Sequence, residues 1–237
     1  GTWLGYVLGG IGAGLIVWLM WFGIRKRRYG AGHVKLEDWL SGHVYLGLAL
    51  IFIATLHTGF QFGWNVHTLA YTLMMLVIAS GVFGAFAYIR YPRMMTQNRH
   101  GETLDGIMSE IAELDRECRN LSLTLTDEMS AAVLESSQNT RIGGSLVRQL
   151  AGGDPRCPTK AAFKNVRRLA GQAAPSQASA ARNLVTLMGK KAFLVRRARR
   201  DVQYKALMDV WLYIHVPLSL ALLAALIAHI VSVFFYW

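Results

Sequence analysis

The apolar positions of this chain fall into four long runs. Residues 3–23 carry almost no charge and stop at Arg25-Lys26-Arg27-Arg28; further runs cover 40–61, about 67–90, and 206–237. A helix rises 1.5 Å per residue, so about 20 apolar residues cross a hydrocarbon core roughly 30 Å thick. Each run is read as one such helix. Trp3 and Tyr6 suit a membrane interface. The first run is too long for a signal peptide and lacks a basic leading flank. Glu37 and Asp38 open the second run, where carboxylates favour a helix N-terminus. The third is expected to stop at Arg90-Tyr91-Pro92-Arg93, because proline breaks a helix.

Between the third and fourth runs the pattern changes. Over 102–128, Leu104, Ile107, Ile111, Leu114, Cys118, Leu121 and Leu125 recur at threes and fours, a heptad seam on an acidic helix. Over 182–205, Leu184, Leu187, Leu194, Ala198 and Val202 make a second amphipathic helix, strongly basic. Opposite charge predicts that 102–128 and 182–205 form an antiparallel hairpin, the second helix running on into the last apolar run. Exposed ion pairs add little, so the seam is expected to carry the stability. The stretch 138–180, rich in Gly, Ala, Ser and Gln, reads as short helices and loops or as partly disordered chain. The expected fold class is therefore an all-α membrane protein: a four-transmembrane-helix bundle with a cytoplasmic helical-hairpin insertion. Residues 1–93 would carry helices 1–3, 94–205 the insertion, and 206–237 helix 4.

Composition and charge sharpen this picture. At 53% hydrophobic and 16% charged residues, the chain is too apolar for an ordinary soluble domain. Its Lys and Arg residues cluster in the 24–39 loop, at Arg90–Arg99 and at Lys190–Lys205, while the 62–68 loop has no Lys or Arg. The positive-inside rule then places the basic loops in the cytoplasm and both termini outside, as expected for a bacterial inner membrane. From Arg141 to Arg200 there are fourteen Lys or Arg and one acid, Asp154. Beside a membrane, such a tract suits anionic lipid headgroups or an acidic protein partner better than nucleic acid. The two cysteines, Cys118 and Cys157, are far apart, and no C-x-x-C-H occurs, so covalent haem attachment is not expected.

Candidate chemistry lies in the second and fourth runs. His43 and His57 are fourteen residues apart, as are His215 and His229. Fourteen residues is nearly four turns, so each pair shares a helix face with about 21 Å between its members. Ionisable groups inside a span are rare and read as functional by default. Ligand pairs four turns apart cannot converge on one zinc ion, which wants three or four ligands together. Haem iron wants one axial ligand on each side, and one histidine from each helix supplies that. With the second and fourth helices running the same way, His43 and His215 would hold an inner haem iron. His57 and His229 would hold an outer one. Each imidazole should donate its other ring N–H to an acceptor, expected at a carbonyl one turn back. Lys35, Arg90 and Arg93 are candidate charge partners for the inner haem; the outer level offers Asn65 and Trp64. Gly9 and Gly23, and Ala70 and Gly84, are small pairs at the same spacing. They would admit either a close helix or a porphyrin edge.

The H-x13-H pattern on the second and fourth runs, with small residues on the first and third, resembles the four-helix haem-binding half of cytochrome b from the quinol–cytochrome c reductases. His43, His57, His215 and His229 are the matching residues; Gly9, Gly23 and Gly84 match more loosely, and Pro217 follows His215 as a proline does there. The resemblance covers about 120 residues, all in the spans. It implies a subunit with two b haems moving electrons between a quinone pool and a partner, such as a c-type cytochrome or an iron–sulfur protein. No nucleophile, phosphate loop or flavin motif stands out, so any enzyme activity is expected to belong to an oxidoreductase complex. The alternative from another class is a membrane signalling or assembly module with a coiled-coil output.

Overall fold

The computed structural model describes residues 3–27, 36–99 and 101–236, without the side chains of 22–27, 36, 37 and 236. Every regular element among them is a helix: α1 Trp3–Arg27, α2 Leu36–Thr58, α3 Val66–Arg99, α4 Leu104–Ser122, α5 Asp127–Asn139, α6 Leu146–Leu150, α7 Thr159–Ala170 and α8 Ala178–Tyr236. Among the described residues, α1, α2, α3 and α8 are long and apolar enough to cross a membrane. The chain divides into two compact units, one of Gly1–Tyr88 with Asp209–Trp237 and one of Ile89–Met208.

The first unit holds α1, α2, the first two-thirds of α3 and the last half of α8. Its buried cluster takes residues from all four helices: Ile16, Leu50, Met74, Leu222 and Leu226. Its outward faces are apolar too, with Tyr45, Phe52, Phe86, Tyr213 and Phe234 exposed. A surface this apolar suits lipid.

The second unit is built on the first half of α8. Ile107, Ile111 and Leu114 of α4 pack with Leu194, Val195 and Ala198 of α8. Glu110 and Asp115 of α4 pair with Lys190 and Lys191 of α8, while Glu102, just before α4, pairs with Arg197 further along α8, so the two helices run antiparallel. A second cluster joins Cys118 to Met129 and Val133 of α5, Ala162, Val166 and Leu169 of α7, and Ala181, Leu184 and Met188 of α8. Four helices thus share this core, where two were expected. The 138–180 stretch holds two short helices, α6 and α7, joined by loops, and α7 presents Ala162, Val166 and Leu169 to the core three and four residues apart.

The helix end expected at Arg90–Arg93 does not occur. Pro92 sits inside α3, which runs on to Arg99. An interior proline costs a helix about 3 kcal/mol, so something must hold the extension. At its end, Arg197 donates to the carbonyl oxygens of Asn98 and Arg99, while Asp201 accepts from the Asn98 amide and pairs with Arg99. These bonds satisfy carbonyls that a helix C-terminus leaves open. Gly101 follows at φ +87°, a conformation costly for other residues, and Thr103 accepts from the Gly106 N–H to start α4.

Candidate functional site

Each long helix of the first unit carries a buried residue midway between two small or histidine positions. Leu50 lies seven residues from His43 and from His57, and Leu222 seven from His215 and from His229. Ile16 stands midway between Gly9 and Gly23, and Met74 midway between His67 and Gly81. Seven residues are close to two helical turns, so each set of three shares one face. The buried cluster is therefore a dry layer with a histidine level on each side.

At one level three histidines meet. The His57 and His229 rings have centroids 6.2 Å apart at an interplanar angle of 79°. His67 lies 5.4 Å from His57 and 4.7 Å from His229, centroid to centroid. One ring nitrogen from each lies within 4.8 Å of the others, and all three residues are half-buried. A metal bound to imidazole at about 2 Å puts two opposed ligand nitrogens about 4 Å apart, so the cluster fits a metal between two of its rings. The Nδ1 of His57 is 2.8 Å from the Gly5 carbonyl oxygen. That bond makes Nδ1 the protonated nitrogen and leaves Nε2 with its lone pair. A Cβ on Gly9 would stand 2.7 Å from Cε1 of His57, so a hydrogen atom there is what lets the ring lie against α1.

At the other level, His43 and His215 are close enough to interact electrostatically, and His43 also meets the Leu19 backbone. The His215 Nδ1 is 2.7 Å from Ser80 Oγ, whose own proton goes to the Val77 carbonyl oxygen at 2.9 Å. The serine oxygen therefore accepts from His215, which again frees Nε2. Trp211 stacks one turn before His215, ring centroids 5.3 Å apart, and its indole N–H donates to the Ser80 carbonyl oxygen at 2.7 Å. Two polar side chains inside apolar helices, Ser80 and Trp211, thereby fix one imidazole.

The expected second-partner bonds exist for these two histidines, with a difference. Their acceptors belong to neighbouring helices, the Gly5 carbonyl oxygen of α1 and Ser80 Oγ of α3, where a carbonyl one turn back was expected, because both rings point across to the packed neighbour. The space beside Gly84 is filled by Trp211: a Cβ there would overlap the indole ring. Gly81 is the α3 glycine that meets His215, with its Cβ position 3.4 Å from Cε1. Arg90 and Arg93 are exposed and belong to the second unit. Lys35 and the surroundings of Gly23 lie outside the described residues. Sequence reasoning passed over His67 and Ser80. Both are polar groups in the third apolar run, which is the signal that singled out the other four histidines.

No protein-family model, curated protein or solved structure matches this chain.

Proposed function

We propose that the chain is a transmembrane electron-transfer subunit with two b haems, one on His43 and His215 and one on His57 and His229. What carries the reading is the pairing of α2 with α8 at two levels, one on each side of a dry layer. At each level a histidine has its Nδ1 committed and its Nε2 free. Bound between such imidazoles, a b haem supplies one-electron redox chemistry. The chain's own part would be to hold the group between paired imidazoles, leaving no site open to dioxygen, and to orient the rings through Gly5, Ser80 and Trp211.

The four long helices cross the membrane in this reading. The basic flanks face the cytoplasm, together with the α4–α8 hairpin, and both termini lie outside a bacterial inner membrane. Electrons pass between a quinone pool or an external redox protein and a partner subunit, a c-type cytochrome or an iron–sulfur protein. The test is the reduced-minus-oxidised visible spectrum and haem content of the purified full chain. Two b haems per chain are expected, with His43→Ala losing one and His57→Ala the other. A colourless protein, or variants that keep both haems, rejects the proposal.

A second reading is favoured by His67. Three imidazoles converging within 4.8 Å also fit a single transition-metal ion at that level, with no porphyrin. His67→Ala separates the two: haem content stays unchanged in the first, and bound zinc or copper, measured by elemental analysis, is lost in the second.

A further inference from the structure

A basic cavity in the second unit has no part in the histidine chemistry. It measures about 360 Å³ and lies between the end of α3, at Gln97 and Asn98, and Arg196, Arg197, Arg200 and Tyr204 of α8. Met94 and Phe193 give it an apolar side. Its three arginines differ. Arg197 is buried and fully used: it donates to the Asn98 and Arg99 carbonyl oxygens, pairs with Glu102 at 3.3 Å and stands over the Phe193 ring. Arg196 and Arg200 are exposed, and among the described residues neither pairs with a carboxylate. The neighbouring acids, Asp201 and Glu102, are occupied by Arg99 and Arg197. Two unneutralised guanidinium groups thus stand one helical turn apart at the mouth, about 6 Å along the axis. Tyr204, stacked on Tyr91 with centroids 5.3 Å apart, makes a fixed wall.

From this we infer that the cavity is a phosphate site, and that its occupant is the headgroup of an anionic phospholipid. Planar guanidinium groups bind phosphate through paired N–H donors, which suits Arg196 and Arg200 to one phosphate between them. Free inorganic phosphate or a nucleotide would offer the same oxygens. Two features favour lipid. Met94 and Phe193 supply an apolar side that a glycerol and acyl stem would cover and a free phosphate would not. In sequence, Met94 follows the third apolar run and Tyr204 precedes the fourth, so the cavity is built from the chain segments that adjoin two candidate membrane spans. This placement rests on the membrane-spanning part of the proposed function and is independent of haem.

The test uses the full chain in detergent and counts bound short-chain phosphatidylglycerol by native mass spectrometry, with phosphatidylcholine as the neutral lipid. Phosphatidylglycerol should bind the wild type in preference, and Arg196→Gln with Arg200→Gln should weaken it by about thirtyfold, the combined effect of two basic residues at an anionic surface. Arg167→Gln with Arg168→Gln removes the same charge from α7 and should leave affinity within about twofold. Replacing Arg196 and Arg200 with lysine keeps the charge but loses the paired donors, and should recover the affinity only in part. Equal losses in the α7 variant, or full recovery with lysine, would mean a diffuse basic surface and overturn the site. Millimolar inorganic phosphate that displaces the lipid completely would keep the phosphate chemistry and overturn the lipid as its source. Extraction of the chain from membranes by alkaline carbonate would reject the spanning reading separately, because lipid binding in detergent does not depend on it.

Discussion

The sharpest quantitative test lies at Lys191. Its side chain is 0% exposed, yet all three ammonium donors are used: Asp115 Oδ1 at 2.6 Å, Ser136 Oγ at 2.9 Å and the Ser136 carbonyl oxygen at 3.0 Å. A buried ion pair is roughly neutral against apolar side chains of the same shape, but removing one partner strands a charge and costs about 3–5 kcal/mol. The two partners are not equivalent. Asp115 retains 14% side-chain exposure, so without Lys191 it can turn to water. Lys191 has no such route. Asp115→Ala should therefore approach the full cost, and Lys191→Met should cost less, mainly the stranded Ser136 hydroxyl at about 1–3 kcal/mol, since the Ser136 carbonyl oxygen still accepts from Thr140. The double change Lys191→Met with Asp115→Leu should lie near wild type or above it.

Cys118 reports on this core directly. It is fully buried on the same helix, and burial, with the Asp115 charge next, pushes its thiol up to about 11. It should react with an alkylating agent only when the core opens. In a Cys157→Ser background, the cost at Asp115→Ala predicts labelling of Cys118 faster by at least about a hundredfold at fixed pH. Acceleration below about tenfold would refute the stranded-charge argument, since one factor of ten is only 1.4 kcal/mol. So would a double variant that opens as readily as Asp115→Ala.

Three further outcomes are expected. In the wild type, Cys157 should be alkylated well before Cys118: burial raises its pKa, but hydrogen bonds at Thr159 and the Arg141 backbone and the Arg199 charge outweigh that, and the net shift is downward. Mass mapping after brief alkylation at neutral pH checks the order. Asp154 is held below the usual carboxylate range, first by the Arg156 N–H and then by Arg148 and Arg141, against the opposing effect of burial. Its stabilising effect should be complete above about pH 5 and fade as pH falls below about 4, so the melting curves of wild type and Asp154→Asn should converge in acid. Gly84→Ala should displace the Trp211 indole and break its bond to Ser80, costing about 1–3 kcal/mol by overpacking. A lowered melting temperature with shifted tryptophan emission is expected, and Trp211→Phe should relieve part of the loss.

The second unit was legible where a polar face contrasted with an apolar one. The seam at Ile107, Ile111, Leu114 and Cys118 is buried at every position, because an acidic helix can hide only that stripe. The partners of the seam were less legible. Met129, Val133, Val166 and Leu169 complete the core from short helices, and three or four apolar residues in a short segment give little periodic signal. The end of α3 was misplaced for another reason. Pro92 is a local stop signal, whereas the bonds that extend the helix come from Arg197 and Asp201, about a hundred residues away in sequence.

In the first unit the histidines of α2 and α8 were legible because a polar group in an apolar helix stands out. The register of α3 was not. Ala70 with Gly84 and His67 with Gly81 share the fourteen-residue spacing, and the two frames differ by three residues, about 60° around the helix. In a soluble helix the contrast between a polar face and an apolar one would choose between such frames. Here both faces are apolar, as suits a helix long and apolar enough to cross a membrane, and nothing in the pattern marks the inward one. Packing decides instead: Met74 is buried in the dry layer, Trp211 closes over Gly84, and Gly81 meets His215. With that frame every helix places a glycine or histidine seven residues on each side of its buried midpoint. His67 then falls at the level of His57 and His229, which makes the two levels chemically unlike: three imidazoles at one, and two with a serine at the other.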